Sequence, residues 1–211
     1  MTTPEHTLVG IHLALACGLH RSFGWKVVAL AGVASNVPDW DGLPMLFDMG
    51  RFEAGHRVWG HNVASIVLAA LLLGGTQWAF DWIGTIGDWV SARFHKTIPP
   101  RPAGESRFSG AMLAVAFTCV ALVAQLVHLP CDMVVSGGSG LSDWAIQPWW
   151  PFSSTAYVYP LIPWGDVGPT VILMTGMIVI AKWRARISAI SALTLIVLCA
   201  YLLMRKWYAH W

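Results

Sequence analysis

The chain has 211 residues, of which 56% are hydrophobic and only 11% charged, with a formal net charge of +2. A mean hydropathy of +0.58, and a charged fraction about half the ~25% of a soluble domain, exclude an ordinary soluble protein. They favour a single integral-membrane domain over residues 1–211. The small net charge, without a basic stripe, argues against a nucleic-acid partner.

Six apolar segments predict an all-α fold, a polytopic membrane helical bundle of about six helices. In chain order they are residues 7–22, 24–38, 61–82, 108–129, 166–182 and 186–204. The last four are long enough to cross ~30 Å of hydrocarbon at ~1.5 Å per residue. The first two are short, so they either cross as a tilted, protein-covered pair or form a re-entrant hairpin; we expect them to cross.

The basic residues are divided unequally between the two sides of this bundle. Connections near residues 20–26, 83–107 and 182–186 carry nine of the 13 Lys and Arg, and the other side, with the C-terminus, carries four. The positive-inside rule places the first group in the cytoplasm. We therefore interpret 83–107 as a cytoplasmic linker and expect the loops 39–60 and 130–165 to face outward.

Histidine and aspartate gather where the apolar segments begin or end, all on the predicted outer side. Ionisable groups at a membrane are costly, so they are few and usually functional. Mixed His and Asp donors suit zinc, or manganese or iron, better than calcium, which prefers oxygen ligands. The candidate metal ligands are His6, Asp39, Asp41, His56, His61, His128 and Asp132.

The spacing within two of these motifs supports shared ligation. His128 and Asp132 are four residues apart, so on a helix they lie ~40° apart on one face, although Pro130 between them would kink that helix. Asp39 and Asp41 are two apart, and in an extended segment both carboxylates point the same way. Singly, each pair also fits a plain structural role, as a helix-end hydrogen bond or a turn cap. Taken together, the segments each bring a His or Asp to the same predicted side of the bundle, and this favours a metal site.

The histidine motif contains a bend. His56 and His61 are five residues apart, ~140° around a helix, so they cannot share a helix face. Gly55 and Gly60 indicate a loop from which both rings converge. The planar guanidinium of Arg57 suits a phosphate or carboxylate group. Alone, the motif fits two interfacial histidines and a snorkelling arginine equally well.

The order of these motifs resembles that of the YdjM-like, LexA-binding, inner-membrane-associated metal-dependent hydrolases. That family has an early His, then Pro-Asp-x-Asp, His-Arg-Gly-x-Thr-His-Ser, His-x-x-x-Asp and a Trp-Pro loop. The resemblance covers about residues 5–155. The corresponding segments here begin at His6, Pro38, His56, His128 and Trp150.

Three positions in the histidine bend depart from the family pattern. Val58 replaces a glycine, Gly60 a threonine and Asn62 a serine, which puts substrate contacts there in question while the metal ligands remain. The family also looks distantly similar to zinc-dependent phospholipase C and P1-type nucleases, helical enzymes whose His/Asp-bound zinc clusters hydrolyse phosphodiesters. This second likeness is a fold-level analogy.

The residues and the resemblance together predict a metal-dependent hydrolase of the bacterial inner membrane. One or two ions at the outer face would lower the pKa of a water toward ~7. The expected substrate is a phosphoester of a lipid or lipid-linked molecule. Asp39 or Asp41, whichever is not a ligand, would act as general base, and Arg57 would stabilise an oxyanion.

Two other functions stay open. A non-enzymatic, metal-stabilised membrane protein would bind a cytoplasmic protein partner through 83–107. A cation or proton transporter would use the same residues but would need ionisable or polar groups deeper in the membrane, for which His12 and Gln125 are the candidates.

Overall fold

The computed structural model describes residues 1–94, 109–135 and 144–208. Within these ranges the chain is helical and has no β-strand, apart from one isolated antiparallel bridge between Ile146 and Tyr157. This confirms the all-α prediction. The α-helices are α1 (Thr3–Ala16), α2 (Leu19–Ser22), α3 (Trp25–Ala34), α4 (Met49–Gly55), α5 (Val63–Phe80), α6 (Trp82–Phe94), α7 (Gly110–Met133), α8 (Gly168–Lys182) and α9 (Ile187–Tyr208), with 3₁₀ helices at Val37–Leu46 and Arg184–Arg186.

Three helical segments in the described residues are long and apolar enough to cross a membrane. They are α5, α7 and the segment Arg184–Trp207 that contains most of α9. Many of their leucine, valine and isoleucine side chains face outward, as hydrocarbon contact requires. The helices α3 and α8 are apolar but shorter. Because α8 has 15 residues and is ~22 Å long, the expectation of four full-length spans is wrong for this helix.

Small residues let the helices of the bundle approach closely. A Cβ atom on Gly74 of α5 would lie 2.5 Å from the Cα of Thr118 on α7, and one on Gly10 of α1 would lie 2.5 Å from the carbonyl oxygen of Ala31 on α3. Such contacts are typical of helix packing in membranes, where van der Waals complementarity replaces the hydrophobic effect. They fix α5 against α7 and α1 against α3, the two pairs that carry the site.

One end of the bundle gathers the starts of α1, α5 and α8 and the ends of α3, α7 and α9. Thr170 of α8 donates to Glu5 of α1 at 2.6 Å, and Tyr201 of α9 donates to Asp166, just before α8, at 2.7 Å. The 3₁₀ helix Val37–Leu46 and α4 close this end. Because successive helices alternate in direction, ligands far apart in the chain arrive together here.

Two predicted connections are only partly described. The predicted linker 83–107 contains most of α6 (Trp82–Phe94), so its first half is helical. Residues 95–107 lie outside the described residues. In the predicted outer loop, residues 136–143 also lie outside them. The described remainder returns to the site end, where Val63 at the start of α5 donates to the carbonyl of Pro148 at 2.9 Å.

Candidate metal centre

Four side chains from three parts of the chain point one ligand atom each at a common position. Asp39 comes from the 3₁₀ helix, His61 from the turn before α5, and His128 and Asp132 from the last turns of α7. Their ligand atoms all lie within 4.8 Å of one another. Pro130 does not break α7, so the prediction that His128 and Asp132 share a helix face is confirmed, with 3.5 Å between Nε2 and Oδ2.

The distances from the two histidine nitrogens to the other donors are close to those around a tetrahedral ion. The separations that involve a histidine nitrogen run from 3.0 Å, between the two Nε2 atoms, to 3.6 Å, between His61 Nε2 and Asp39 Oδ1. Nitrogen and oxygen atoms bound ~2.0–2.1 Å from a tetrahedral zinc lie ~3.3–3.4 Å apart. The four side chains therefore form a His₂Asp₂ group that could hold a metal ion.

The outer partners of the two histidines fix their tautomers. His128 Nδ1 lies 2.7 Å from the carbonyl oxygen of Ser35, which only accepts, so this nitrogen carries the proton. His61 Nδ1 donates to Asp41 Oδ2 at 2.9 Å. In the neutral form of each ring, Nε2 therefore presents a lone pair to the centre. A histidine ligand whose other nitrogen donates to a carboxylate or backbone carbonyl is the usual arrangement around bound metals.

Asp41 and His56 lie behind His61. Asp41 is fully buried; its Oδ2 also accepts from the Gly60 N–H at 2.8 Å, and its Oδ1 lies 3.2 Å from His56 Nδ1. Asp41 thus joins the two histidine rings, which converge as the bend predicted. Asp41 and His56 are not among the four clustered donors. Their position is that of supports for a ligand.

The expectation of an extended segment at Asp39 and Asp41 is wrong. The segment is a 3₁₀ helix, in which each residue turns by ~120°, so residues two apart diverge. Because the two carboxylates diverge, they reach different nitrogens of one ring: Asp39 approaches His61 at Nε2, and Asp41 approaches it at Nδ1. The two carboxylates hold opposite edges of one imidazole.

His6 lies behind Asp132. Asp132 Oδ2 faces His61 at 3.2 Å, while its Oδ1 is 2.9 Å from His6 Nε2 and accepts from the Met1 amino group at 2.7 Å. The His6 ring also stacks on His128, with centroids 3.8 Å apart. His6 therefore orients two of the four donors but is not one of the clustered group.

Arg57 places a buried positive charge beside the centre. Its Nε lies 3.4 Å from Asp132 Oδ2, and its Nη1 donates to the carbonyl oxygen of Trp144 at 3.1 Å. The guanidinium lies over the Trp144 indole, and the residue has a φ of 62°. Arg57 thus ties the segment around Trp144 to α7 and adds a positive potential next to Asp132.

Three carboxylates surround His61 and set its charge. Burial acts to lower the pKa of His61, but hydrogen bonds to the three surrounding carboxylates outweigh it and raise that pKa to about 10. Burial acts to raise the pKa of Asp39, but hydrogen bonds from His128 and His61 hold it well below its usual range. The carboxylates are therefore ionised at neutral pH, and a proton on His61 supplies the compensating charge that a metal would otherwise supply.

Sequence reasoning did not find Ser35, whose contribution is a backbone carbonyl that any residue could offer. It treated Gly60 only as part of a bend. A Cβ atom on Gly60 would lie 1.9 Å from the carbonyl oxygen of Pro38, so glycine is required for the turn before α5 to reach the segment that carries Asp39. The presence of glycine at position 60 was the one feature of the sequence that could have indicated this close approach.

Comparison with known proteins gives a family. No curated protein and no solved structure matches the chain. The sequence model described as YdjM inner membrane protein matches residues 1–208, which extends the expected likeness of about residues 5–155 through α8 and α9. A match over nearly the whole chain, with apolar helices of spanning length, shows that this protein belongs to the YdjM inner membrane protein family.

Proposed function

We propose that this protein is a membrane-bound, metal-dependent hydrolase acting on a phosphoester of a lipid or lipid-linked substrate. The supporting observation is the group of four donors, in which the Nε2 atoms of His61 and His128 face each other with a carboxylate on either side. Two imidazoles and two carboxylates suit zinc, with manganese or iron as alternatives. Four donors at these distances fit one ion. The charge distribution of the loops favours the outer, periplasmic face for this end of the bundle.

The metal would supply a polarised, activated water and a Lewis acid for the scissile group. Asp41 holds His61 in the tautomer that binds metal. We assign Asp39 as the acceptor of the water's proton, because its side chain is 29% exposed while those of the other three donors are 3% exposed or less. Asp41 is buried, with both oxygens engaged, and cannot reach a substrate. Arg57 would stabilise negative charge that develops beside Asp132.

Whether a substrate can reach the ion decides between a catalytic and a structural role for the metal. Catalytic zinc keeps three protein ligands and an open position, whereas structural zinc binds four. In a hydrolase one of the four donors must therefore give way. Asp39 meets this requirement, because it is the most exposed donor and lies on a 3₁₀ segment, outside the packed helices.

The test combines metal content with turnover. Detergent-purified wild type should contain stoichiometric metal by plasma mass spectrometry and should hydrolyse a phosphoester in a panel of lipid phosphates. Asp132→Ala should lose both. Asp39→Asn should keep most of its metal and lose turnover. His20→Ala, which changes a histidine outside the centre, is the matched control and should keep both. Full metal content in both His61→Ala and Asp132→Ala would show that the site is assigned wrongly.

The second candidate is a non-enzymatic protein in which the ion only stabilises the fold. The completeness of the four-donor set favours it, since four protein ligands are the structural pattern. Asp39→Asn would then lose metal as fully as Asp132→Ala. Chelation would lower the thermal unfolding midpoint without removing any hydrolysis. A cytoplasmic partner would dock on the segment 83–107, where Ile86 and Trp89 of α6 are exposed.

A further inference from the structure

A cleft of about 810 Å³ lies beside the metal centre, between the 3₁₀ helix and α4. This volume falls within the ~300–1,000 Å³ of ordinary ligand sites. Its walls are mostly apolar, with one arginine and one aspartate at the edge. The residues used below are Trp40, Leu43, Phe47, Arg51, Ala54 and Trp59.

The cleft and the centre are built from the same two segments. Trp40, in the wall of the cleft, is the residue between the two aspartates of the 3₁₀ helix, and its Nε1 would lie 3.0 Å from a Cβ atom on Gly60. Trp59, which forms another part of the wall, is followed by Gly60 and His61. The backbone that shapes the cleft therefore also carries Asp39, the exposed donor, and His61.

The surface around the cleft is too apolar to face water. Phe47 is 89% exposed and Leu46 67% exposed, and Leu43, Met45 and Met49 are also exposed. Contiguous apolar patches of this kind mark sites for lipids or partners. Because α5 begins and α7 ends at this level, a bilayer spanned by these two helices would have the boundary of its hydrocarbon near the patch.

Charge at the rim indicates what the bound molecule carries. Arg51 extends from α4 with its side chain 77% exposed and forms an ion pair with the exposed Asp48 at 3.3 Å; exposed pairs of this kind are weak, so a phosphate can compete with Asp48. A guanidinium suits a phosphate oxygen pair. An apolar cleft, a rim arginine and an adjacent metal centre together match a molecule with an apolar chain and a phosphate.

We infer that this cleft binds one acyl chain of a membrane phospholipid whose phosphate reaches Asp39 and the metal. The inference rests on the proposed function and names its substrate class as a phospholipid drawn from the surrounding bilayer. The chain lies against Leu43 and Ala54, Trp40 and Trp59 hold its upper part, and Arg51 contacts the headgroup. The competing explanation is that the exposed patch only anchors the protein in the bilayer interface.

Photolabelling separates the two explanations. The full-length, metal-loaded protein is placed in nanodiscs that contain phosphatidic acid with a diazirine at the end of one acyl chain. After irradiation, labelled residues are located by peptide mass spectrometry. Binding in the cleft predicts labels on Leu43 and Ala54, against which the chain lies. Labels confined to outward-facing Met45 and Leu46, or spread evenly over the patch, would overturn the inference.

A pair of substitutions on α4 provides the control. Ala54→Phe fills the cleft and should reduce labelling on the order of tenfold, whereas Met49→Phe adds the same ring to the same helix outside the cleft and should leave it unchanged. Equal labelling in the two variants would also overturn the inference. If Ala54→Phe does not fold, the position of the label on the wild-type protein still distinguishes binding in the cleft from anchoring at the bilayer surface.

Metal content and turnover measured on the same samples keep the two proposals apart. Metal-dependent hydrolysis without labelling of the cleft would refute the acyl-chain site alone. Labelling of the cleft without hydrolysis would refute the hydrolase alone.

Discussion

The Nε2 atoms of His61 and His128 face one another at 3.0 Å, and each ring donates its Nδ1 proton to a different acceptor. Two lone pairs at this distance repel unless a cation lies between them. A metal ion meets that need, and so does a proton, which is why the pKa of His61 is raised to about 10 by its carboxylate neighbours against the effect of burial. Metal and proton therefore compete for one place.

This competition predicts proton release on metal binding. At neutral pH the metal-free protein should hold a proton on His61, which an incoming ion must displace, so about one proton should be released per ion. Isothermal titration calorimetry with zinc, in buffers of different ionisation enthalpy, measures this number. Observed heats that do not depend on the buffer would contradict the assignment of the raised pKa to His61.

The stability of the metal-free protein should fall as pH rises, because folding favours the proton on His61. A pKa raised in the folded state stabilises that state fully below the unfolded value of ~6.5, and this contribution is lost as pH rises toward about 10. The thermal unfolding midpoint of chelated protein should therefore fall across this window. Zinc-loaded protein, in which His61 is deprotonated throughout, serves as the control and should show a weaker dependence.

Asp41→Asn should weaken metal binding without removing a ligand. The carboxylate holds His61 through Nδ1, and loss of such a support costs ~10–100-fold in metal affinity. Competition with a fluorescent zinc chelator measures the affinity. Asp48→Asn, the same change at an exposed position, should leave it unaltered. If Asp41→Asn bound no metal even at saturation, Asp41 would be a ligand itself.

Gly60→Ala should disturb the centre through the backbone. The new methyl group would meet the Pro38 carbonyl at 1.9 Å, and a clash of this kind costs about 1–3 kcal/mol and displaces the 3₁₀ segment. We expect a lower thermal unfolding midpoint and reduced metal content. The control is Gly75→Ala, because a Cβ there has nothing within 4 Å. Equal effects of the two substitutions would mean that the close approach at Gly60 does not matter.

Much of the centre could be predicted because periodicity and position carry information in a membrane protein. Apolar runs of a definite length identify helices, and a charged group at their ends is costly enough to be noticed. The i, i+4 relation of His128 and Asp132 needed only helix geometry. An all-α bundle with a His/Asp centre at one end follows from these features.

The roles of the individual candidates could not be predicted, because they depend on which donor reaches the common point. Asp39 and Asp41 look equivalent in the sequence, and only the 3₁₀ turn sends one to the centre and the other behind His61. In the same way His6 and His56 are supports, because the carboxylates of Asp132 and Asp41 lie between their rings and the centre.

Composition, the period of the helix and local motifs were enough to predict the helical membrane fold, the location of the candidate ligands at helix ends and the family. Tertiary packing selects which four atoms meet, which carbonyl and carboxylate set the histidine tautomers, and where the apolar cleft lined by Trp40 and Trp59 forms. Such features arise from contacts between residues as far apart as Ser35 and His128, and no local pattern records the packing of helices that brings them together.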